Sequence, residues 1–145
     1  MLSTAIQAVL EKDPFTALVS QGVFARDKLP LRVNYPSCFI FNTDNHNKPG
    51  THWLAIFYDK YGNCDFFDSY GNHPSFFKLT NYLNMTSKTW KHNNKCIQAQ
   101  SEYCGYYCLL FLFLRCRNSS AIFFKYFSKK PTVNDKLVMK LINSF

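Results

Sequence analysis

Four residue types that together can carry nucleophilic acyl chemistry occur in a fixed order along this 145-residue chain. They are a histidine in Gly50-Thr51-His52-Trp53, a carboxylate in Phe66-Phe67-Asp68-Ser69-Tyr70-Gly71, a glutamine at Gln98, and a cysteine in Tyr103-Cys104-Gly105. A cysteine attacks as its thiolate, so it needs a base, a group that orients the base, and donors for the oxyanion that forms on the attacked carbonyl. Cys104 opens an apolar run that continues to Leu114. Read as a helix, the run puts the thiol at a helix N-terminus, where N–H groups and the dipole favour the charged form.

Each of the four has an alternative or a plainer reading. Among His46, His52, His73 and His92, only His52 begins a strongly apolar strand, and it follows a flexible Pro49-Gly50. Alone it would be an ordinary solvated histidine; with Asp68 and Cys104 in the same chain it becomes the candidate base. Asp65 and Asp59 compete with Asp68, but Asp65 is expected to face elsewhere and Asp59 to sit at the far end of a hairpin. Gln98 and Gln100 both lie within one loop's reach of Cys104, and spacing favours Gln98. Cys108, one helical turn after Cys104, is expected to be a small buried hydrophobe. Trp53 belongs to the core by default, yet beside His52 its flat ring can also roof a groove that admits glycine and little else.

The elements that must position these groups can be read from periodicity and turn chemistry. Ser3 is a candidate cap for a first helix with Ile6, Val9 and Leu10 on one face, and Pro14 ends it or begins another short turn. After Lys28-Leu29-Pro30 the chain becomes extended. Ser37 to Phe41 reads as a strand, Asn42 to Gly50 as a polar loop, His52 to Tyr58 as a second strand, and Cys64 to Phe67 as a third, with Tyr61-Gly62-Asn63 as the turn. The second and third strands form a hairpin that brings His52 and Asp68 to the same end, because one strand leaves that end and the next returns to it. Pro74 to Leu83 reads as a helix, Lys88 to Trp90 as a short strand, and Lys95 to Ile97 as a candidate for another. The Cys104 helix runs to about Arg117. Ser119 or Ser120 caps a short helix through Phe127, and Thr132 with Asp135 makes a capping-box-like start to a last helix with Val133, Leu137, Val138, Leu141 and Ile142 inward. The class is α+β, one domain over residues 1–145.

Composition bounds the rest. A chain that is 47% hydrophobic and 18% aromatic is neither disordered nor low in core-forming residues. The N-terminus lacks a basic segment followed by an apolar stretch and a small-residue cleavage site, so secretion is not expected. The six cysteines contain no C-x-x-C pair, which disfavours a zinc ribbon and predicts mostly reduced, buried thiols and no metal. The apolar run from Cys104 is too short to span a bilayer, which takes roughly 18 residues, so it reads as a core helix. The net charge is +8, and Arg115, Arg117, Lys125, Lys129, Lys130, Lys136 and Lys140 face only Asp135 in the last part of the chain. That stretch is either a solvated helix face or a polyanion-binding surface, with nucleic acid as the polyanion.

Ile40-Phe41-Asn42-Thr43, Gly50-Thr51-His52-Trp53, Phe67-Asp68-Ser69-Tyr70-Gly71 and Cys104-Gly105-Tyr106-Tyr107-Cys108, taken in order, resemble the adenain-type cysteine endopeptidases of adenoviruses. With Asn42-Thr43-Asp44 and Arg115-Cys116-Arg117 added, the chain is closest in flavour to the related proteases of adintoviruses, Polinton or Maverick elements and virophages. The resemblance runs from about Asp27 to Arg117. It implies a permuted papain-like α+β fold, with a small mixed or antiparallel central sheet flanked by helices. It also implies His52 as base, Asp68 as orienting acid, Gln98 as oxyanion donor, Cys104 as nucleophile, and Trp53 and Gly105 along the substrate. The family's adenoviral members carry Glu where this chain has Asp68, whereas cellular relatives use Asp. The six-residue step from Gln98 to Cys104 is more like the deSUMOylases of the same clan, which leaves Gln100 open. Maturation of viral capsid or core precursors at glycine-containing sites is the activity the resemblance implies, in the virion and the host nucleus or viral factory. No cofactor is required by the sequence; activation by DNA, or by a viral peptide bound through a cysteine, is a family property. Cys96 is likewise upstream of the glutamine but stands much closer to it than that cysteine does, which leaves open whether it takes the role. A monomer without membrane contact is expected. A ubiquitin-like-protein isopeptidase and a non-catalytic DNA-binding protein are the alternatives.

Overall fold

The computed structural model describes residues 1–48 and 51–145, and for Ser120 and Ala121 the backbone only. The Pro49-Gly50 pair expected to give flexibility before His52 lies outside the described residues, as does the side chain of Ser120 as a helix cap. Helices α1 (Ser3–Lys12) and α2 (Pro14–Ala17) precede strand β1 (Ser20–Phe24). Then come β2 (Ser37–Asn42), β3 (Trp53–Tyr58) and β4 (Asn63–Phe67), a 3-10 turn at Pro74–Phe77, α3 (Thr80–Thr86), β5 (Thr89–His92) and α4 (Cys104–Cys116). The chain ends in α5 (Ser120–Phe123), a 3-10 turn at Phe124–Tyr126, and α6 (Pro131–Ile142).

The five strands form one mixed sheet in the order β1-β2-β3-β4-β5. The central β2–β3 and β3–β4 pairs are antiparallel, and the two edge pairs are parallel. Side-chain alternation divides the interior into two cores, as a period of two requires. Cys38, Ile40, Ala55, Phe57 and Phe67 face α4, with Ile6 and Leu10 of α1, Phe123 and Val138. Phe39, Phe41, Leu54, Ile56, Tyr58, Cys64 and Phe66 face the other way, onto Leu79 and Leu83 of the α3 segment. Every residue of α4 from Cys104 to Leu114 except Tyr106 is buried, because sheet, α1, α2, α5 and α6 surround it. That encirclement explains an apolar stretch with no polar face.

Several sequence expectations need correction. Ser3 is inside α1 rather than its cap, and Leu2 occupies the cap position without a side-chain hydrogen bond. Strand β1 was not expected; it pairs in parallel with β2 through an irregular register around Gly22. The helix expected over Pro74 to Leu83 is broken where Lys78 takes a left-handed backbone. Lys95 to Ile97 forms no strand; Ile97 N–H instead bonds the Ser69 carbonyl at 2.9 Å. Ser119 precedes α5 without a side-chain cap bond. At α6, Lys130 is the cap residue and Pro131 opens the helix. Asp135 is not in a capping box, since its carboxylate accepts from the Tyr107 hydroxyl at 2.7 Å. Val133, expected inward, is exposed.

The turn after β4 is the piece of the fold that the site leans on. Gly71 N–H closes it onto the Asp68 carbonyl at 2.8 Å, with Gly71 at φ +76°. A Cβ at Gly71 would stand 2.7 Å from the Lys95 carbonyl carbon and 2.8 Å from its oxygen. Both the dihedral and the backbone contact therefore demand glycine. Gly71→Ala is expected to cost about 1–3 kcal/mol, seen as a drop of several degrees in the thermal unfolding midpoint; an unchanged midpoint would contradict the tight packing of this turn.

Candidate active site

The β3–β4 register, in which Ala55 opposes Phe67 and Ile56 opposes Phe66, sets up the first contact. Continued three residues beyond the ladder, it opposes His52 to Tyr70, and their rings lie 4.9 Å apart at 31°. Phe77 stacks on the imidazole from farther out, at 6.3 Å. Asp68 is then the diagonal neighbour, and its Oδ1 lies 2.7 Å from His52 Nε2. The Asp68 side chain is fully buried, whereas that of His52 is 13% exposed.

Cys104 is the first residue of α4, after Tyr103 at the cap. Its thiol lies near enough to the His52 ring that each group stabilises the charged form of the other. Since Nε2 is held by Asp68, Nδ1 is the nitrogen left to face sulfur. The main-chain N–H groups of Trp53 and Gly105 also point at the sulfur. One turn on, the Cys108 thiol donates to the Trp53 carbonyl at 3.4 Å, so the first residue of β3 grips two successive turns of α4. Cys108 is completely buried, and burial pushes its thiol far up. It is core, as expected.

The three titratable groups shift together. Burial favours neutral Asp68, but the His52 hydrogen bond and charge, Tyr70 N–H and Asn72 outweigh it and lower the pKa. Burial likewise disfavours a charged His52, yet hydrogen bonds to Asp68 and Cys104 and their charges raise it to about 9. Against burial, His52 and the two N–H groups lower the Cys104 thiol. A thiolate and imidazolium pair with the carboxylate behind it is the state this geometry favours between the lowered Cys104 value and about pH 9.

Gln98 is buried in the loop before α4, while Gln100 is exposed. The Gln98 carbonyl accepts from the Ser69 hydroxyl. Its amide nitrogen donates to the carbonyl and hydroxyl of Ser101, each at 3.0 Å. In this conformation both amide protons are thus taken by the turn that leads into Cys104. From below, α6 fixes the flanking residues: Asn134 Nδ2 donates to the Ile97 carbonyl at 3.0 Å, and Asp135 accepts from Ala99 N–H at 3.4 Å. Trp53 packs beside Gly105, where an added Cβ would meet Trp53 Cδ1 at 3.4 Å, Ile6 Cδ1 at 3.3 Å and Met1 Sδ at 3.1 Å. The indole N–H donates to the Met1 carbonyl at 3.2 Å. Trp53 also borders a cavity of about 310 Å³ lined by Met1, Phe24, Asn42, Asp44 and His46.

The remaining candidates separate. Asp65 faces α4 and pairs with Arg115 at 2.8 Å, and Asp59 caps the hairpin turn through Tyr61 and Asn63. Arg115 also lies over Phe57, and Arg117 is bound to Asp13 among the rings of Phe15, Phe113 and Phe145. Two of the seven basic residues expected on a polyanion surface are therefore held in ion pairs. Lys125, Lys129, Lys130, Lys136 and Lys140 are exposed. All six cysteines are free, with Cys96 exposed rather than buried. Among the described residues no three His, Cys, Asp or Glu side chains gather as a metal site, and no helix is long and apolar enough to cross a membrane. Sequence reasoning missed the ring of Tyr70 on His52, the Gln98 contacts of Ser69 and Ser101, and Asn72 and Asn93 around Asp68. Asn72, four residues after Asp68 and next to a turn glycine, left a local signal; Asn93, 25 residues away, left none.

No protein-family model matches the chain, and no curated protein matches it. Solved structures do. The ASFV pS273R protease is 29% identical over 59% of this chain and 37% of its own, with a TM-score of 0.41. ChlaDub1 from Chlamydia trachomatis is 13% identical over 75% of this chain and 58% of its own, with a TM-score of 0.50. The chain thus spans less than two thirds of either. The second likeness, with the helix-bearing cysteine after the sheet histidine and acid, shows the fold to be the permuted papain-like α+β type.

The His52 titration tests the geometry directly. Its ring signals are expected to titrate near pH 9 by NMR and to fall back toward the ordinary value of about 6.5 in Asp68→Asn. A wild-type ring already titrating at the ordinary value would refute the ion pair.

Proposed function

We propose that the chain is a cysteine endopeptidase of the adenain-like type, cutting viral capsid or core precursors at glycine-containing sites during virion maturation. The observation that carries the reading is the buried Cys104 thiol at the start of α4, lowered in pKa by His52, whose Nε2 meets a fully buried carboxylate. In the proposed reaction the Cys104 thiolate attacks the scissile carbonyl carbon. The oxyanion accepts from Cys104 N–H and from a Gln98 amide proton released by Ser101. Imidazolium His52 gives its proton to the leaving amine, and a thioester remains. Water then attacks with His52 as base, and the tetrahedral adduct expels the thiolate to restore the resting pair. Asp68 stays ionised and holds the ring in the tautomer that leaves Nδ1 facing sulfur.

In this reading glycine specificity rests on Trp53, whose flat ring packs beside Gly105 next to the nucleophile and would roof a narrow substrate path. The proposed setting is the virion and the host nucleus or viral factory. The five exposed lysines of the C-terminal region are the residues left to meet DNA.

Incubation with candidate capsid precursors, with and without duplex DNA, is the test. Cys104→Ala is expected to abolish cleavage, and Gln98→Ala to lower kcat by ~10²–10³, with Gln100→Ala near wild type. Cleavage that survives Cys104→Ala would sink the reading. A second reading rests on the same observation about Trp53 and Gly105, since such a slot also accepts a C-terminal diglycine: a ubiquitin-like-protein isopeptidase. Rapid adduct formation at Cys104 with a ubiquitin or SUMO propargylamide, without precursor cleavage, would favour it. DNA binding with no reactivity of Cys104 toward either probe would favour a non-catalytic DNA-binding protein.

A further inference from the structure

Two asparagines that touch neither the thiol nor the imidazole converge on Asp68 from separate segments. Asn72 holds the carboxylate: its main-chain N–H and its side-chain Nδ2 reach Oδ2 at 3.2 and 3.0 Å. Tyr70 N–H at 3.0 Å and His52 take Oδ1, so each oxygen has two donors. Asn93 holds the backbone. Its Oδ1 accepts from Asp68 N–H at 3.0 Å, and its Nδ2 donates to the Asp68 carbonyl at 2.5 Å.

The Asn93 clasp sits where the sheet runs out. The β4–β5 ladder ends with Phe66 beside His92, and in the next step the Asn93 amide supplies, from a side chain, the donor and acceptor that another strand residue would offer. The same Nδ2 lies 3.4 Å from the Lys95 carbonyl, the group packed against Gly71. Turn 68–71 and loop 93–98 are thereby locked at the acid itself.

We propose that Asn72 and Asn93 are positioning residues, which keep Asp68 ionised and aim Oδ1 at His52. The proposal rests on reading Cys104, His52 and Asp68 as a thiol-nucleophile site. A buried carboxylate stripped of the Asn72 amide keeps one main-chain donor on Oδ2, becomes easier to protonate, and is free to rotate. A protonated Asp68 would donate to His52 Nε2 and drive the ring proton to Nδ1, where it faces sulfur and the ring can no longer accept from the thiol. The titratable side chains facing this group are His52, Cys104, Tyr70 and, deeper in α4, Cys108.

The test reads Cys104 itself and needs no peptide substrate. Iodoacetamide alkylation of Cys104 is followed by mass spectrometry across pH 4–10 in a Cys96→Ser background, for the parent, Asn72→Ala, Asn93→Ala and Asn94→Ala. Folded fraction is measured alongside by circular dichroism. In the parent the rate is expected to rise with a midpoint below the ordinary thiol range. In Asn72→Ala and Asn93→Ala that midpoint moves up, so the rate per folded molecule at pH 6 falls about tenfold or more. Asn94→Ala, whose exposed side chain neighbours the clasp without joining it, follows the parent. Asn72→Ala retains its main-chain bond to Oδ2, so the outcome does not depend on Asn93→Ala folding. Both asparagine profiles overlaying a low-midpoint parent would overturn the positioning role alone. A parent midpoint in the ordinary thiol range would overturn the thiol-site reading as well.

Discussion

The charge on Asp68 is the constraint around which the surrounding loops are arranged. A carboxylate without solvent exposure is costly unless its lone pairs are filled, and here four donors fill them: one imidazole, two main-chain N–H groups and one side-chain amide. Three of the four come from residues 70–72, a segment that can present them only after the tight turn closed by Gly71 N–H. The packing of Gly71 against the Lys95 carbonyl ties that turn to loop 93–98, and the Ser69 carbonyl then receives Ile97 N–H. The same few residues thus connect the candidate acid to the backbone just before Gln98.

Helix α4 answers the opposite requirement. It must bring a thiol out of the centre of the molecule to the end of a hairpin without losing the contacts that bury the rest of the helix. Encirclement on all sides fixes its position, and β3 fixes its register, because Trp53 addresses Cys104 with its N–H and Cys108 with its carbonyl. A helix displaced along its axis by one residue would lose both contacts and move the thiol away from His52. The lowered Cys104 pKa is therefore a property of packing as much as of the neighbouring histidine.

How far the sequence could be read follows from which residues speak locally. The β3–β4 hairpin was legible because short, nearly continuous apolar runs and a glycine turn are short-range signals, and through them the meeting of His52 with Asp68 could be foreseen. The apolar run from Cys104 announced a core helix. Strand β1 was not legible: Ser20, Gln21 and Gly22 carry little strand pattern, and the pairing is with a segment some eighteen residues later. Lys78 broke an expected helix by adopting a conformation that non-glycine residues seldom take. Asp135 looked like part of a cap because nothing near it in sequence reveals Tyr107, 28 residues away. Arg115 and Arg117 looked like free surface charge for the same reason, since Asp65 and Asp13 reach them only through the fold. The described structure brings His52 to Asp68 and sets Cys104 beside them, and it supplies what spacing cannot, the groups that hold Asp68 and Gln98 still.

Gln98 shows why satisfaction in the resting state is compatible with a role in the proposed reaction. Its amide lies in the interior, so protons without partners would cost about 1–3 kcal/mol; Ser101 removes that cost by accepting both. Ser101 is neutral, however, and a tetrahedral oxygen is charged. Hydrogen bonds to charged acceptors are roughly twice as strong as those between neutral groups, so exchanging one Ser101 contact for the developing oxyanion gains most at the transition state and little with the uncharged carbonyl of the substrate. An interaction that strengthens only as charge develops lowers the barrier without tightening the ground state. Asn134 and Asp135 hold Ile97 and Ala99 on either side, so in the proposed reaction that exchange would need side-chain rotation only, with the backbone fixed.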